Sequence, residues 1–233
     1  SVNLKNINSK AYWDKVYTDE IANGQWRRYP VGFNKIKTYL GLKAHAQDTI
    51  LDVGCGYGLL ADHLTSLNCA ITGWDFSEVA LTAMARKGFN VRCVDFVKYN
   101  PSPDDKFDHV VATELLEHFE NPAAEIAKLY KIAQKSVILT VPNNESTQNM
   151  SHEHLHAFEP DKINQLTSGF KLERLYIEEY YEEFFYMNDD GHFKIIRAPN
   201  LLVILEKPHQ TALSGMGFTK RADFKKMPVD ICV

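Results

Sequence analysis

Residues 50–58, Ile-Leu-Asp-Val-Gly-Cys-Gly-Tyr-Gly, constrain this chain more than any other stretch: a short apolar run ends on three alternate glycines. Apolar residues bounded by such breakers read as a buried strand. Leu60, Leu64 and Leu67 then recur at helical spacing before residues 70–74 resume a strand pattern, which completes a strand–helix–strand unit. Glycines let the backbone turn tightly and approach a bound molecule, and the N-terminus of the following helix offers unpaired N–H donors. A small ligand is expected on this loop.

The alternation continues downstream. Ser77 is placed to cap a helix carrying Ala80, Ala83 and Met84, with Gly88 as its stop, and residues 91–94 read as a third strand. Residues 109–112 make a fourth strand and 137–141 a fifth, with Ile126, Leu129, Tyr130 and Ala133 on a helical face between them. Residues 159–169 read as a helix with Ile163 and Leu166 inward, and the runs 171–177 and 201–205, separated by Asp-Asp-Gly at 189–191, suit an antiparallel pair. Strands alternating with helices imply a parallel sheet. The expected fold is therefore doubly wound, Rossmann-like α/β: a mostly parallel sheet, an antiparallel C-terminal strand and an N-terminal helical extension. Its ligand belongs beyond the carboxyl ends of the strands. The length of 233 residues suits one main domain, divided as a helical lid over 1–48, a binding domain over 49–208 and a tail over 209–233.

Two ligands compete for the glycine loop. A dinucleotide fingerprint wants its third glycine at position 59, which is Leu59, and Asp52 would set a carboxylate near a pyrophosphate. Both features weigh against NAD and a nicotinamide oxidoreductase. The stretch from Ile50 through Asn143 instead resembles the class I S-adenosylmethionine-dependent methyltransferases, of the small-molecule type with Glu-x-x-Glu-His after the fourth strand. Their cofactor carries an ammonium and a sulfonium, so a carboxylate at Asp52 suits it electrostatically.

The resemblance implies roles residue by residue. Asp52, Gly54, Gly56 and Gly58 belong to the cofactor loop; Asp75, at the end of Gly-Trp-Asp-Phe-Ser and followed by Phe76, grips the ribose hydroxyls. Asp95 binds the adenine amino group with Phe96 beside the ring, and Thr113 and Glu114 border cofactor and substrate. Thr-Val-Pro-Asn at 140–143 resembles the segment after the fifth strand. S-adenosyl-L-methionine is thus the implied cofactor and S-adenosyl-L-homocysteine its product. Each motif alone also has a plain structural reading: the glycines as a packing turn, Asp75 and Asp95 as helix caps.

On the substrate side, Glu114, Glu117 and His118 share a face if Thr113 starts a helix. His152, His154 and His156 alternate, and on an extended segment would project to one side. The expected catalytic set is His118, His154 and Glu117, with a histidine taking the acceptor's proton. The lesser reading is a divalent metal held by Glu114, Glu117, His118 and a downstream histidine, an arrangement that resembles small-RNA 3′-terminal ribose methyltransferases; no metal ligand is assigned.

Tyr12, Trp13, Tyr17, Trp26 and Tyr29 precede the first strand. They read as core rings or as a segment closing the cleft, with Arg27 or Arg28 near the methionine carboxylate. Tyr and Phe at 179–186 suit a pocket wall or ordinary strand packing. With 26 Lys plus Arg against 30 Asp plus Glu, the net charge of −4 gives no global positive field for nucleic acid, and Lys220, Arg221, Lys225 and Lys226 read as a solvated tail. No apolar stretch approaches the roughly 20 residues that span a bilayer, and no secretory signal is evident. Four scattered cysteines without a CxxC pair suggest reduced thiols and a cytoplasmic protein. The expected function is methyl transfer to an oxygen or nitrogen of a small-molecule acceptor; a non-catalytic cofactor-binding scaffold is the alternative from another class.

Overall fold

The buried run at 49–53 becomes the strand about which the sheet is organised. A computed structural model describes residues 6–23, 27–29, 31–145, 150–187 and 193–208, with backbone alone at 27–29, 184–187 and 193–194. In chain order the elements are α1 (Lys10–Asn23), β1 (Arg27–Tyr29), α2 (Val31–Lys43), β2 (Thr49–Val53), α3 (Leu59–Leu64), β3 (Ala70–Asp75), α4 (Glu78–Arg86), β4 (Asn90–Cys93), β5 (Phe107–Thr113), α5 (Pro122–Ile132), β6 (Ala133–Pro142), α6 (Pro160–Thr167), β7 (Arg174–Met187) and β8 (Phe193–Glu206). One sheet joins the strands in the order β1-β7-β8-β6-β5-β2-β3-β4.

Strands β2 to β6 are parallel where they pair, β8 runs antiparallel to β6 and β7, and β1 is antiparallel to β7. From β2 the chain winds outward through β3 to β4, then returns to place β5 on the other side of β2. That reversal opens a crevice at the carboxyl ends of β2 and β5. The mostly parallel α/β fold with an antiparallel C-terminal strand is thus the one expected.

Local chemistry sets the helix limits. Ser77 Oγ accepts from Ala80 N at 3.2 Å at the start of α4, and Gly88 follows its end at φ 93°. Asn121 caps α5 by accepting from Ala124 N at 3.2 Å, and Pro122 opens the helix where a missing N–H costs nothing. Alternation along β2 divides the core between the two faces of the sheet. Leu51 and Val53 pack with Ile126, Leu129 and Ile132 of α5 and Ile163 of α6. Ile50 packs with Ile36 and Leu40 of α2, Leu60 and Leu64 of α3, and Leu81 and Met84 of α4. Each such side chain contributes roughly 1.5–3 kcal/mol by burial.

Several details differ from the sequence reading. Ala133 opens β6 rather than closing the helix before it. The antiparallel pair extends well beyond 171–177 and 201–205, with Ile177 opposite Val203 and Met187 opposite Phe193. Tyr180 and Glu182 are buried while Tyr181 is exposed, so 179–183 follows strand alternation rather than forming a pocket wall. The N-terminal extension is not wholly helical, because β1 joins the sheet. Cys55 and Cys69 are free thiols, and Cys232 lies outside the described residues. No described helix is long and apolar enough to cross a membrane. The turn at 189–191, Trp26, the side chains of Arg27, Arg28 and Tyr29, and the tail 209–233 lie outside the described residues.

Candidate active site at the carboxyl ends of the strands

A cleft of about 860 Å³ opens over the ends of β2, β3, β5 and β6. Its floor is the glycine loop. Gly54 N and Cys55 N donate to Trp74 O at 2.7 and 3.2 Å, stitching the loop to β3. Gly56 sits at φ 51°, and a Cβ there would lie 3.1 Å from the Tyr17 ring. Gly58 has φ 83° and a Cβ would meet Met84 Cγ at 2.7 Å; Gly58 is not among the residues lining the cleft. Gly54 and Gly56 therefore line the cleft, while Gly58 serves the strand-to-helix turn and its packing on α4.

Two carboxyl groups lie buried beside this loop. Asp75 Oδ2 accepts from Gly56 N at 3.0 Å and Oδ1 from Ser77 N at 2.9 Å. Burial raises its pKa to about 6 against the opposing pull of those amides. Asp52 is raised further, to about 8, by burial first and by the neighbouring Asp75 second. Its Oδ1 is buried with no hydrogen-bond partner among the described residues. A carboxylate in such surroundings is stabilised by a cation.

Phe76, Asp95, Phe96 and Thr113 also line the cleft. Asp95 stands at its rim, paired with Lys98 at 2.8 Å, and Phe96 is buried beneath Lys128, whose Nζ lies 5.5 Å from the ring centroid. Thr113 ends β5 and does not start a helix. Glu114 takes φ 48° and its Oε1 accepts from Asn200 Nδ2 at 2.8 Å. A single 3-10 turn, Leu116–His118, follows. The left-handed residue breaks helical continuity, so Glu114 does not share a face with Glu117 and His118, contrary to the expected spacing.

The structure instead brings Glu117, His118 and His154 together, with one donor atom from each within 4.8 Å of the others. Glu114 lies outside this group, so three of the four suggested metal donors converge. The rings of His118 and His154 meet edge to face at 5.0 Å. His118 Nδ1 lies 3.2 Å from Glu153 O. Burial, with His154 second, lowers the pKa of His118 to about 4, so its imidazole is neutral at neutral pH. His154 Nδ1 lies 2.7 Å from Glu145 Oε2. His152 and His156 diverge: the first is 3.2 Å from Tyr12 Oη and the second 3.3 Å from Glu120 O. His154 N donates to Ser151 O at 3.0 Å. That turn replaces the extended segment, so the three histidines do not project to one side.

Helix α1 buries none of its own residues, yet Lys10, Trp13, Val16, Tyr17 and Glu20 line the cleft. Trp13 stacks edge to face on His118 at 5.1 Å, Ser77 Oγ donates to Asp14 Oδ1, and Asn8 Nδ2 donates to Glu153 O at 2.8 Å. The rings of Trp13 and Tyr17 thus line the cleft instead of filling the core, while Tyr12 packs on Trp13 and His152. Asn8, Asp14, Glu145 and Asn200 escaped sequence reasoning, because their partners lie in other elements and no local motif marks them.

A family model described as a methyltransferase domain matches residues 25–207. The chain belongs to the methyltransferase-domain family. The domain is 31% identical over 91 residues to a ubiquinone biosynthesis O-methyltransferase of Thiobacillus denitrificans, covering 36% of this chain and 39% of that protein. It is 32% identical over 125 residues to the enzyme of the same name from Coxiella burnetii, covering 49% and 51%. The matches thus span between two fifths and half of these curated relatives. Among solved structures, an S-adenosylmethionine-dependent methyltransferase from Anabaena variabilis shares the fold at a TM-score of 0.62 and 14% identity, covering 87% of this chain and 96% of that one. Magnesium protoporphyrin IX methyltransferase from Synechocystis, solved with S-adenosylmethionine bound, gives 0.53 and 15%, with 87% and 86% covered.

Proposed function

We propose that the chain is an S-adenosylmethionine-dependent methyltransferase acting on an oxygen or nitrogen of a small-molecule acceptor. The observation that carries this reading is the unpartnered, buried Oδ1 of Asp52 beside Asp75 at the floor of the cleft. A cationic ligand is favoured there and a pyrophosphate opposed. Family membership and the naming of the curated relatives as O-methyltransferases support transfer chemistry, and an oxygen acceptor first.

In this reading Asp52 faces the cofactor's positive charge, Asp75 holds the ribose while its amide contacts fix the loop, and Asp95 with Phe96 receives the adenine. Gly54 and Gly56 leave room for close approach, Phe76 walls the site, and Thr113 and Glu114 separate cofactor from acceptor. Bound S-adenosylmethionine supplies an electrophilic methyl group, and alignment against the acceptor accounts for most of the rate. His154 accepts the proton that leaves the acceptor; Glu117 and the neutral His118 order the acceptor's polar groups. His154 is given this role because its ring lines the cleft with Nδ1 held 2.7 Å from Glu145 Oε2, whereas His118, with a pKa of about 4, is a weak base at neutral pH. Helix α1 acts as lid over the cleft, while α2 and β1 belong to the body of the domain.

Calorimetry checks the reading. S-adenosylmethionine and S-adenosylhomocysteine are expected to bind, and NAD is not. A methylated product is then sought over a panel of phenols, alcohols and amines, with and without a chelator. Indifference to both sulfur nucleosides overturns the proposal; binding without turnover anywhere in the panel favours a scaffold; activity abolished by the chelator moves Glu117, His118 and His154 to a metal.

A further inference from the structure

We propose that Glu145 is a positioning residue that fixes the tautomer of His154 and so keeps its Nε2 lone pair available to the acceptor; this rests on the methyl-transfer reading of the cleft. The two side chains form a contact of 2.7 Å between Glu145 Oε2 and His154 Nδ1, both largely withdrawn from solvent at 19% and 14% exposure. A carboxylate oxygen only accepts, so the proton of a neutral imidazole stands on Nδ1. Nε2 is then unprotonated on a ring that lines the cleft.

The groups around this ring agree with that assignment. His118 faces it edge to face at 5.0 Å from the turn after β5. Glu117 comes from the same turn. Glu153 is occupied by Ser151 Oγ and by His152 Nδ1 at 3.0 Å. Lys10 of the covering helix is paired with Asp14 at 2.9 Å. Glu145 is thus the carboxylate in hydrogen-bonding contact with His154. Its backbone is held one residue after Asn144, whose N donates to Phe158 O at 2.8 Å and whose φ is 54°. A carboxylate held behind an imidazole orients the ring and selects the nitrogen that acts, and reversing the tautomer in such a dyad costs up to about 10⁴-fold in rate.

The test uses the full chain with ¹⁵N-labelled histidine, read by NMR at neutral pH, with His154→Gln to assign the resonance. The expected wild-type signature is a protonated Nδ1 and an unprotonated Nε2 at His154. Glu145→Gln, whose amide donates to Nδ1, is expected to move the proton to Nε2; Glu145→Ala is expected to yield a mixture and Glu145→Asp to keep the wild-type pattern. A wild-type ring protonated on Nε2, or a pattern unchanged in both Glu145→Gln and Glu145→Ala, overturns the proposal. Calorimetry with S-adenosylmethionine on the same samples separates the two ideas: lost binding with an intact tautomer pattern sinks the methyl-transfer reading and leaves the dyad standing.

Discussion

Asp52 carries the sharpest consequence at the scale of single residues. Its pKa is raised to about 8, so near neutrality the carboxyl is largely protonated until a cation arrives. A cationic ligand selects the ionised form, and binding therefore expels a proton. Affinity for S-adenosylmethionine is expected to rise with pH up to about 8, by up to about tenfold per unit, and Asp52→Asn is expected to weaken binding and flatten the profile. Calorimetry in buffers of different ionisation enthalpy counts the proton; zero proton release in the wild type would separate Asp52 from the ligand's charge. The loop was legible in the sequence because Asp52, Gly54 and Gly56 act through consecutive backbone. The Glu145–His154 and Glu114–Asn200 contacts were not, since partners 9 and 86 positions apart meet only through the fold.

Among the elements, α1 does most to define the cleft while burying nothing of its own. It is held by polar contacts at its two sides, Asp14 to Ser77 and Asn8 to Glu153, and by Trp13 against His118. Such an element opens at little cost. Asp14→Ala is expected to speed amide exchange across 10–23 and to weaken cofactor binding about 2- to 10-fold, the range for one hydrogen bond. Unchanged exchange would show that the contact to Ser77 does not hold the helix. The alternating core elements were readable from apolar period and caps, as with Ser77 and Gly88. The 3-10 turn after Thr113 was not, because Glu114 adopts a left-handed backbone that a side-chain pattern does not announce. Strand β7 was read short because Glu178, Glu179, Glu182 and Glu183 mask its period of two.

For the molecule as a whole, the end of the sheet opposite the cleft contributes to the acid limit of stability, alongside His118 in the cleft. His109, buried on β5, has Nδ1 2.8 Å from Ser136 Oγ and Nε2 3.2 Å from Asp48 Oδ2, and Lys135 holds Asp48 at 2.8 Å. Burial, ahead of the attraction of Asp48, lowers the pKa of His109 below the ordinary 6.5. The unfolded chain thus takes up a proton that the folded one refuses. Stability is whole above about pH 6.5 and is expected to decline as pH falls through that value toward the folded pKa, with a further loss below about pH 4 as Asp48 protonates. Thermal melts of His109→Gln against wild type check this: the variant is less stable at pH 8 and loses less between pH 6.5 and 5. Equal slopes would place the acid sensitivity elsewhere.

The three residues of β1 also bear on one edge of the sheet. They pair with residues 183–185 of β7, and the strands at the two ends of the eight-stranded order, β1 and β4, have three and four residues. Exposed rows of unpaired N–H and C=O groups invite fibril-like stacking in proportion to their length. Here β1 pairs with residues 183–185 alone of the fourteen in β7, so only that stretch of the long strand is withdrawn from the hazard.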